Sequence, residues 1–133
     1  MCGRYVTHAE QALEREFTLI KVRWPDYFSY NVAPTQQVPV VRSVNGEREG
    51  SMMRWGLIPF FAKGDPGKYS TINARIETVK TSPAYRGPWK RGQRCLILAD
   101  GFYEWQVTPD GKVPYYITCA DPPQEQQSPS DKP

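Results

Sequence analysis

Apolar positions in this chain come in short runs, and the spacing between them changes along its length. Near the start, Ala9, Leu13 and Phe17 recur at helical spacing. They follow Thr7-His8-Ala9-Glu10, in which Thr7 can cap a helix and Glu10 can reach back to it. A short amphipathic helix is predicted over residues 8–17, with His8 on the surface of its first turn. Val38 to Val44 alternates weakly and ends at Asn45-Gly46, a strong signal for a tight hairpin. The returning strand should run through Gly50 to Trp55, and Ile72 to Thr78 reads as a further strand. Ser82-Pro83 sets a cap before a proline at the first helical position, so a second short helix is predicted toward Arg91. Gly87-Pro88 should interrupt it and Gly92 close it. Cys95 to Leu98 reads as a buried strand with Cys95 in the core, and Phe102 to Val107 as another. Pro109-Asp110-Gly111 is a turn, and Val113 to Thr118 is the last strand. The predicted architecture is α+β: a mainly antiparallel β core with two short helices.

From Asp121 the pattern stops. The final segment holds four prolines and no hydrophobic residue, so residues 121–133 are expected to be a disordered tail behind one domain at 1–120. With 133 residues, 39% hydrophobic and 23% charged, the chain suits one core and is too short for two. Thirteen prolines favour short strands joined by loops. No run approaches the roughly 20 apolar residues of a membrane span, and no secretory signal is recognisable. The expectation is a cytoplasmic protein. Cys2, Cys95 and Cys119 are too widely and irregularly spaced for a disulfide framework. With His8 the one histidine, no metal site is expected.

Charge changes this picture. Between Arg54 and Arg94, nine basic residues face two acidic ones (+7), against eight and twelve elsewhere (−4). Trp55, Phe60, Phe61, Tyr69, Tyr85 and Trp89 are interleaved with those cations. Single-stranded nucleic acid suits such a surface, because cations follow phosphates and rings stack on bases. A solvated basic face over a core containing those rings would look the same at this level.

The first residues offer chemistry of their own. Excision of Met1 would leave Cys2 as a 1,2-aminothiol. Its α-amine, with an ordinary pKa of about 7.7 to 8.0, is partly neutral near pH 7, whereas a lysine near 10.4 would need burial to match it. A neutral amine condenses with an aldehyde to an imine, and the adjacent thiol can close on the imine as a thiazolidine, an intramolecular step favoured by proximity. Met-Cys at a chain start is equally an incidental pair unless other residues support it.

Five blocks do. Met-Cys-Gly-Arg-Tyr at 1–5, Tyr-Asn-Val-Ala-Pro-Thr at 30–35, Arg-Trp-Gly-Leu-Ile-Pro at 54–59, Ile-Asn-Ala-Arg-Ile-Glu-Thr at 72–78 and Arg-Cys-Leu-Ile-Leu-Ala-Asp-Gly-Phe-Tyr-Glu-Trp at 94–105 resemble the SRAP family, the SOS response-associated peptidases or abasic-site processing proteins. The resemblance covers residues 1 to 118. It implies a protein that recognises abasic sites in single-stranded DNA and links itself to them through Cys2, after autocatalytic loss of Met1. The open form of an abasic sugar is an aldehyde, which fits the aminothiol. It further implies catalytic roles for Cys2, Asn73 and Glu104. Asn73 would hold a sugar hydroxyl, and Glu104, between Tyr103 and Trp105, would shuttle protons from a partly desolvated carboxyl. Arg4 and Arg75 would grip phosphates, and Phe60 and Phe61 would stack on or wedge between bases, while Trp55 belongs to the core. No cofactor is implied, and the protein is expected to act as a monomer in the cytoplasm, associated with the nucleoid.

One family feature has no counterpart. A His-x-Arg-Met-Pro-like block in the family's second half, whose histidine completes the active site, is not matched, and His8 lies in another motif. The family fold draws strands from both halves, so sheet edges and apolar surface are expected to be uncovered. Two other functions stay open at this level: a non-covalent single-strand binder that has lost catalysis, and a thiol peptidase acting on other proteins.

Overall fold

A computed structural model describes residues 3–9, 21–24, 26–65 and 69–120. Among these residues the strands form two four-stranded sheets. In chain order the strands are β1 (Arg4–Ala9), β2 (Lys21–Arg23), β3 (Tyr27–Val32), β4 (Gln37–Val44), β5 (Glu47–Arg54), β6 (Cys95–Ile97), β7 (Gly101–Thr108) and β8 (Gly111–Thr118). Sheet A runs β3-β1-β7-β8 and is antiparallel throughout. Sheet B runs β2-β5-β4-β6 and is antiparallel except for the β2–β5 pair.

β4 holds the core together because both of its faces are covered. Val38 and Val40 pack on one side with Tyr5 of β1 and Val32 of β3, so this cluster joins the two sheets. Val41, on the other side, packs with Trp24 and Leu98. A strand buried on both faces shows a continuous apolar run, which is why its alternation is weak in sequence. Asn45 and Gly46 have φ of 52° and 85°, the two positive values of a type I′ turn, and Val44 pairs directly with Glu47 across it. The predicted hairpin is therefore present. β7 and β8 also form as predicted, slightly longer than expected.

The helical predictions fare differently. Thr7, His8 and Ala9 lie in β1, and residues 10–17 fall outside the described residues. Thr7 is fully buried and pairs with Ser29, and its hydroxyl has no hydrogen-bond partner among the described residues, so it caps nothing. The β-favouring run Tyr5-Val6-Thr7 and its burial between β3 and β7 outweigh the local capping signal. The second helix is short: α1 spans Arg86–Lys90. Turns over residues 76–85 lead into it, and Gly87-Pro88 does not break it, because Pro88 sits in the first turn, where its missing N–H has no helical partner to lose. Gly92, at φ 67°, closes it as expected, with Gln93 N–H donating to Pro88 O and Gly92 N–H to Trp89 O. The architecture is thus mainly antiparallel sheet with very little helix among the described residues.

Two strand predictions need correction. Ile72 to Thr78 is no strand: Val79 N–H donates to Arg75 O and Ser82 N–H to Thr78 O, a helical spacing, and Ile76 is 67% exposed. Apolar residues alternate there without a partner strand to pair with. Cys95 to Ile97 of the predicted Cys95–Leu98 strand does form β6, but at the edge of sheet B, and Cys95 is exposed rather than in the core. Leu96 beside it is 62% exposed and Leu98 alone of this run is buried. At an edge of sheet A every residue of β8 is exposed. These exposed apolar edges match the expectation of uncovered sheet surface. Pro114, midway along β8, faces Trp105. It has no N–H to exchange with that partner, so its nitrogen points to the free edge.

Candidate active site

Sheet A supplies one side of the site through the register of β1 and β7. Arg4 pairs with Tyr103 and Tyr5 with Phe102. Beyond Tyr103 the β7–β8 hairpin runs on past the start of β1, and Glu104 is the first residue of that overhang, level with Gly3. Glu104 is half-buried, with Tyr115 across from it on β8. Successive strand residues point to opposite faces, so Glu104 shares a face with Tyr5 while Arg4 leaves by the other face alongside Tyr103. The candidate groups therefore gather at one end of sheet A and not on one of its faces. A Cβ built on Gly3 would meet nothing within 4 Å, so the backbone entering this end is open to approach. Cys2 lies outside the described residues.

The second side is the irregular segment that carries Asn73 and Arg75, both exposed. An irregular backbone needs partners to hold a shape, and three side-chain hydrogen bonds are among those it has here. Trp55 Nε1–H donates to Ile72 O at 2.9 Å, Tyr85 O–H donates to Asn73 O at 2.9 Å, and the Thr71 hydroxyl donates to Leu57 O. Trp55 connects the two sides. It packs against the core that joins the sheets, and its ring meets Tyr5 edge-on at 5.4 Å. A path of direct contacts thus runs from β1 through Tyr5 and Trp55 to the residue before Asn73.

Trp55 is itself stitched to the turn at 33–36. Thr35 N–H donates to Trp55 O at 2.8 Å and Trp55 N–H to Gln36 O at 2.9 Å. In that turn Gln36 N–H reaches Ala33 O, Pro34 sits at the second position and Thr35 has φ 77°. This is a type II turn with a β-branched residue where glycine is usual. Backbone of this kind costs on the order of 1 kcal/mol and persists where its surroundings enforce it. The Trp55 hydrogen bonds do so here.

Phe60 and Phe61 stand apart, on a 3-10 turn over Phe60–Ala62. Ala62 is buried and anchors the turn, while Phe60 is 82% exposed. Phe61 lies edge-on to Phe60 at 5.4 Å and to Tyr69 at 5.2 Å. A ring this exposed gains nothing from the core, so it is available to a planar partner. Sequence reasoning named Tyr69 and Tyr85 only among the interleaved aromatics, and missed the hydrogen bond from Tyr85 to Asn73 O and the donor role of Trp55. For Trp55 the signal was available, since an indole N–H that enters a core must find an acceptor. His8 is exposed on β1, edge-on to Phe28 at 5.3 Å, and takes no part in this arrangement. Among the described residues no group of three His, Cys, Asp or Glu side chains could hold a metal ion, and no helix is long and apolar enough to cross a membrane.

The same two-sheet fold occurs in solved structures. A protein from Bordetella bronchiseptica matches with a TM-score of 0.69 and 28% identity, covering 88% of this chain and 57% of that one. A phage-related protein from the same organism matches with a TM-score of 0.61 and 29% identity, covering 88% and 55%. The class is that of SRAP folds, and the family model for SOS response associated peptidase matches residues 1–127. This chain belongs to the SRAP family. Among curated relatives, the abasic site processing protein HMCES of Gallus gallus is 40% identical over 115 residues, 78% of this chain and 33% of its own length. The abasic site processing protein YoqW of Bacillus subtilis is 36% identical over 121 residues, 88% of this chain and 54% of its own length. The chain therefore spans between a third and about half of the relatives it matches.

Proposed function

We propose that this protein recognises abasic sites in single-stranded DNA and holds them covalently through Cys2 once Met1 has been removed. The observation that carries the reading is the β1–β7 register, which sets Glu104 level with Gly3, one residue from Cys2. Two Cα steps of about 3.8 Å keep Cys2 within about 7.6 Å of Arg4, so the covalent chain alone holds it near this end of sheet A. The names of the relatives, abasic site processing proteins, give the substrate class.

The chemistry follows from the residues gathered there. The Cys2 amine adds to the C1′ aldehyde of the opened sugar and water leaves, giving an imine. The thiol then adds across the C=N bond and its proton passes to nitrogen, closing a thiazolidine. Glu104 is positioned to carry the protons of ring opening and dehydration. On this reading the exposed Asn73 amide meets a sugar hydroxyl and the exposed Arg75 guanidinium a phosphate. Phe60 fits the gap left by a missing base, as a wedge or a stacking partner, and Arg4 meets the strand from the other face of the sheet end.

Mixing the mature protein with a single-stranded oligonucleotide bearing one abasic site should give an adduct that survives denaturation, with a mass equal to the sum of the two less one water. Cys2→Ala should abolish the thiazolidine. Equal adduct yield from that variant, or an intact mass showing Met1 still attached in crosslinking protein, would refute the proposal. Salt-sensitive binding that ignores the lesion and leaves no adduct would instead indicate a non-covalent single-strand binder.

A further inference from the structure

Gly3, Glu104 and Tyr115 form one row across the end of sheet A. Gly3 is level with Glu104 through the β1–β7 register, and Glu104 pairs directly with Tyr115 on β8. Directly opposite residues of an antiparallel pair share a face, with Cβ atoms about 5 Å apart. Tyr115 therefore stands beside Glu104, on the face that carries Tyr5. Neighbouring strands lie about 4.8 Å apart, so the Tyr115 backbone is about 10 Å from that of Gly3. β8 is an edge strand with no strand beyond it among the described residues, and Tyr115 is 51% exposed. Its chain neighbour Tyr116 packs against Tyr103 at 5.1 Å on the other face. Tyr115 itself has neither a ring partner nor a hydrogen bond among the described residues.

We infer that the Tyr115 ring stacks on the nucleobase next to the abasic residue, on the side of the site formed by β8. This rests on the function proposed above and adds a contact to the same site. A base beside an abasic residue has lost the neighbour it would stack on, and an unengaged ring next to the lesion takes that neighbour's place. Position supports the same assignment. Glu104 on β7 lies between β1, whose Tyr5 leads through Trp55 to the Asn73 segment, and β8, which carries Tyr115. A strand held with its lesion at Glu104, and by Asn73 and Arg75 on the β1 side, leaves the site across β8. Stacking needs only a planar face, so this contact reads the presence of a base and not its identity.

A single-stranded oligonucleotide with a tetrahydrofuran residue as its abasic site has no aldehyde and binds without reacting. With 5-iodouracil placed directly 5′ or directly 3′ of that residue, irradiation should crosslink Tyr115 from one of the two positions, as located by mass spectrometry. Tyr115→Ala should weaken binding of this oligonucleotide about tenfold, within the range for losing one stacked base. Tyr115→Phe keeps the ring and should match wild type. Replacing the base on the crosslinking side with a second tetrahydrofuran residue should cost wild type a similar factor, and the two losses should not add. If Tyr115→Ala does not fold, Tyr115→Leu fills the strand position without a planar face and should show the same loss. Crosslinks that fall on Phe60 or elsewhere and never on Tyr115 would overturn the inference. So would wild-type affinity in the variant that lacks the ring, or losses that add in full. Failure of an aldehyde-bearing abasic oligonucleotide to form an adduct with wild-type protein, with the Tyr115 crosslink intact, would count against the covalent chemistry and leave the stacking contact standing.

Discussion

Trp55 does three things at once: it closes the core beneath β1, steadies the turn that bends Thr35 into a positive φ, and donates to the carbonyl beside Asn73. Trp55→Phe keeps most of the ring and removes the donor, leaving Ile72 O without it. We expect a loss of about 1 kcal/mol in urea unfolding, a slower adduct reaction and weaker binding of undamaged DNA, since the loosened segment carries both Asn73 and Arg75. Glycine 50 is demanding for a different reason. A Cβ there would lie 2.2 Å from Trp24 Cζ3, and Trp24 is itself buried at 6% exposure, so its ring has nowhere to move. Gly50→Ala should cost about 3 kcal/mol, the upper part of the range for an overfilled core, visible as a lower urea midpoint. The approach of Trp24 to Gly50 has no signature in sequence, because nothing local marks which glycine a distant ring will cover.

Among the elements, legibility followed the range of the interactions. The β4–β5 hairpin could be read from Asn45-Gly46, since a type I′ turn is decided by two adjacent residues. Gly46→Val, at φ 85°, should therefore cost about 1–2 kcal/mol through backbone strain alone, measurable by thermal unfolding, and leave Cys95 alkylation in its folded state unchanged. β1 could not be read in the same way. Its Thr7 to Glu10 stretch carries a genuine capping signal, and the strand wins through pairing on both sides with segments some twenty and ninety-five residues away. Ile72 to Thr78 failed in the opposite sense: it looks like a strand but has no neighbour to pair with. The candidate residues themselves, Asn73, Arg75 and Glu104, stood out through motif blocks, whereas the props that hold them are long-range. Tyr85 is such a prop, twelve residues from the carbonyl it serves. Burial raises its pKa above the usual 10, so the folded protein favours the neutral phenol, the form that can donate. Its contribution to stability is accordingly full below pH 10 and lost as pH rises through the elevated folded value. The difference in urea midpoint between wild type and Tyr85→Phe should be constant from pH 7 to 9 and disappear well above pH 10.

At the scale of the whole molecule, two sheets meet through the cluster of Tyr5, Val32, Val38 and Val40. The net charge of the chain is only +3, yet the cations are grouped between Arg54 and Arg94, so the local field and not the overall balance governs any encounter with a polyanion. The apolar side chains left exposed on β6, β7 and β8, with Val107 at 76% and Leu96 at 62%, sit on the last strands of a chain that spans only part of its relatives. The family resemblance anticipated uncovered apolar surface but not its place, because an apolar run looks the same whether or not something covers it.

Such a surface invites self-association, and the proline facing outward on β8 limits the form this can take. A neighbouring molecule trying to extend sheet A by laying its own strand along that border would meet a missing proton halfway, and its carbonyl would go unanswered. Crowded solutions of this protein should therefore cloud through amorphous clumping of greasy side chains, reversible on dilution, before they grow fibres.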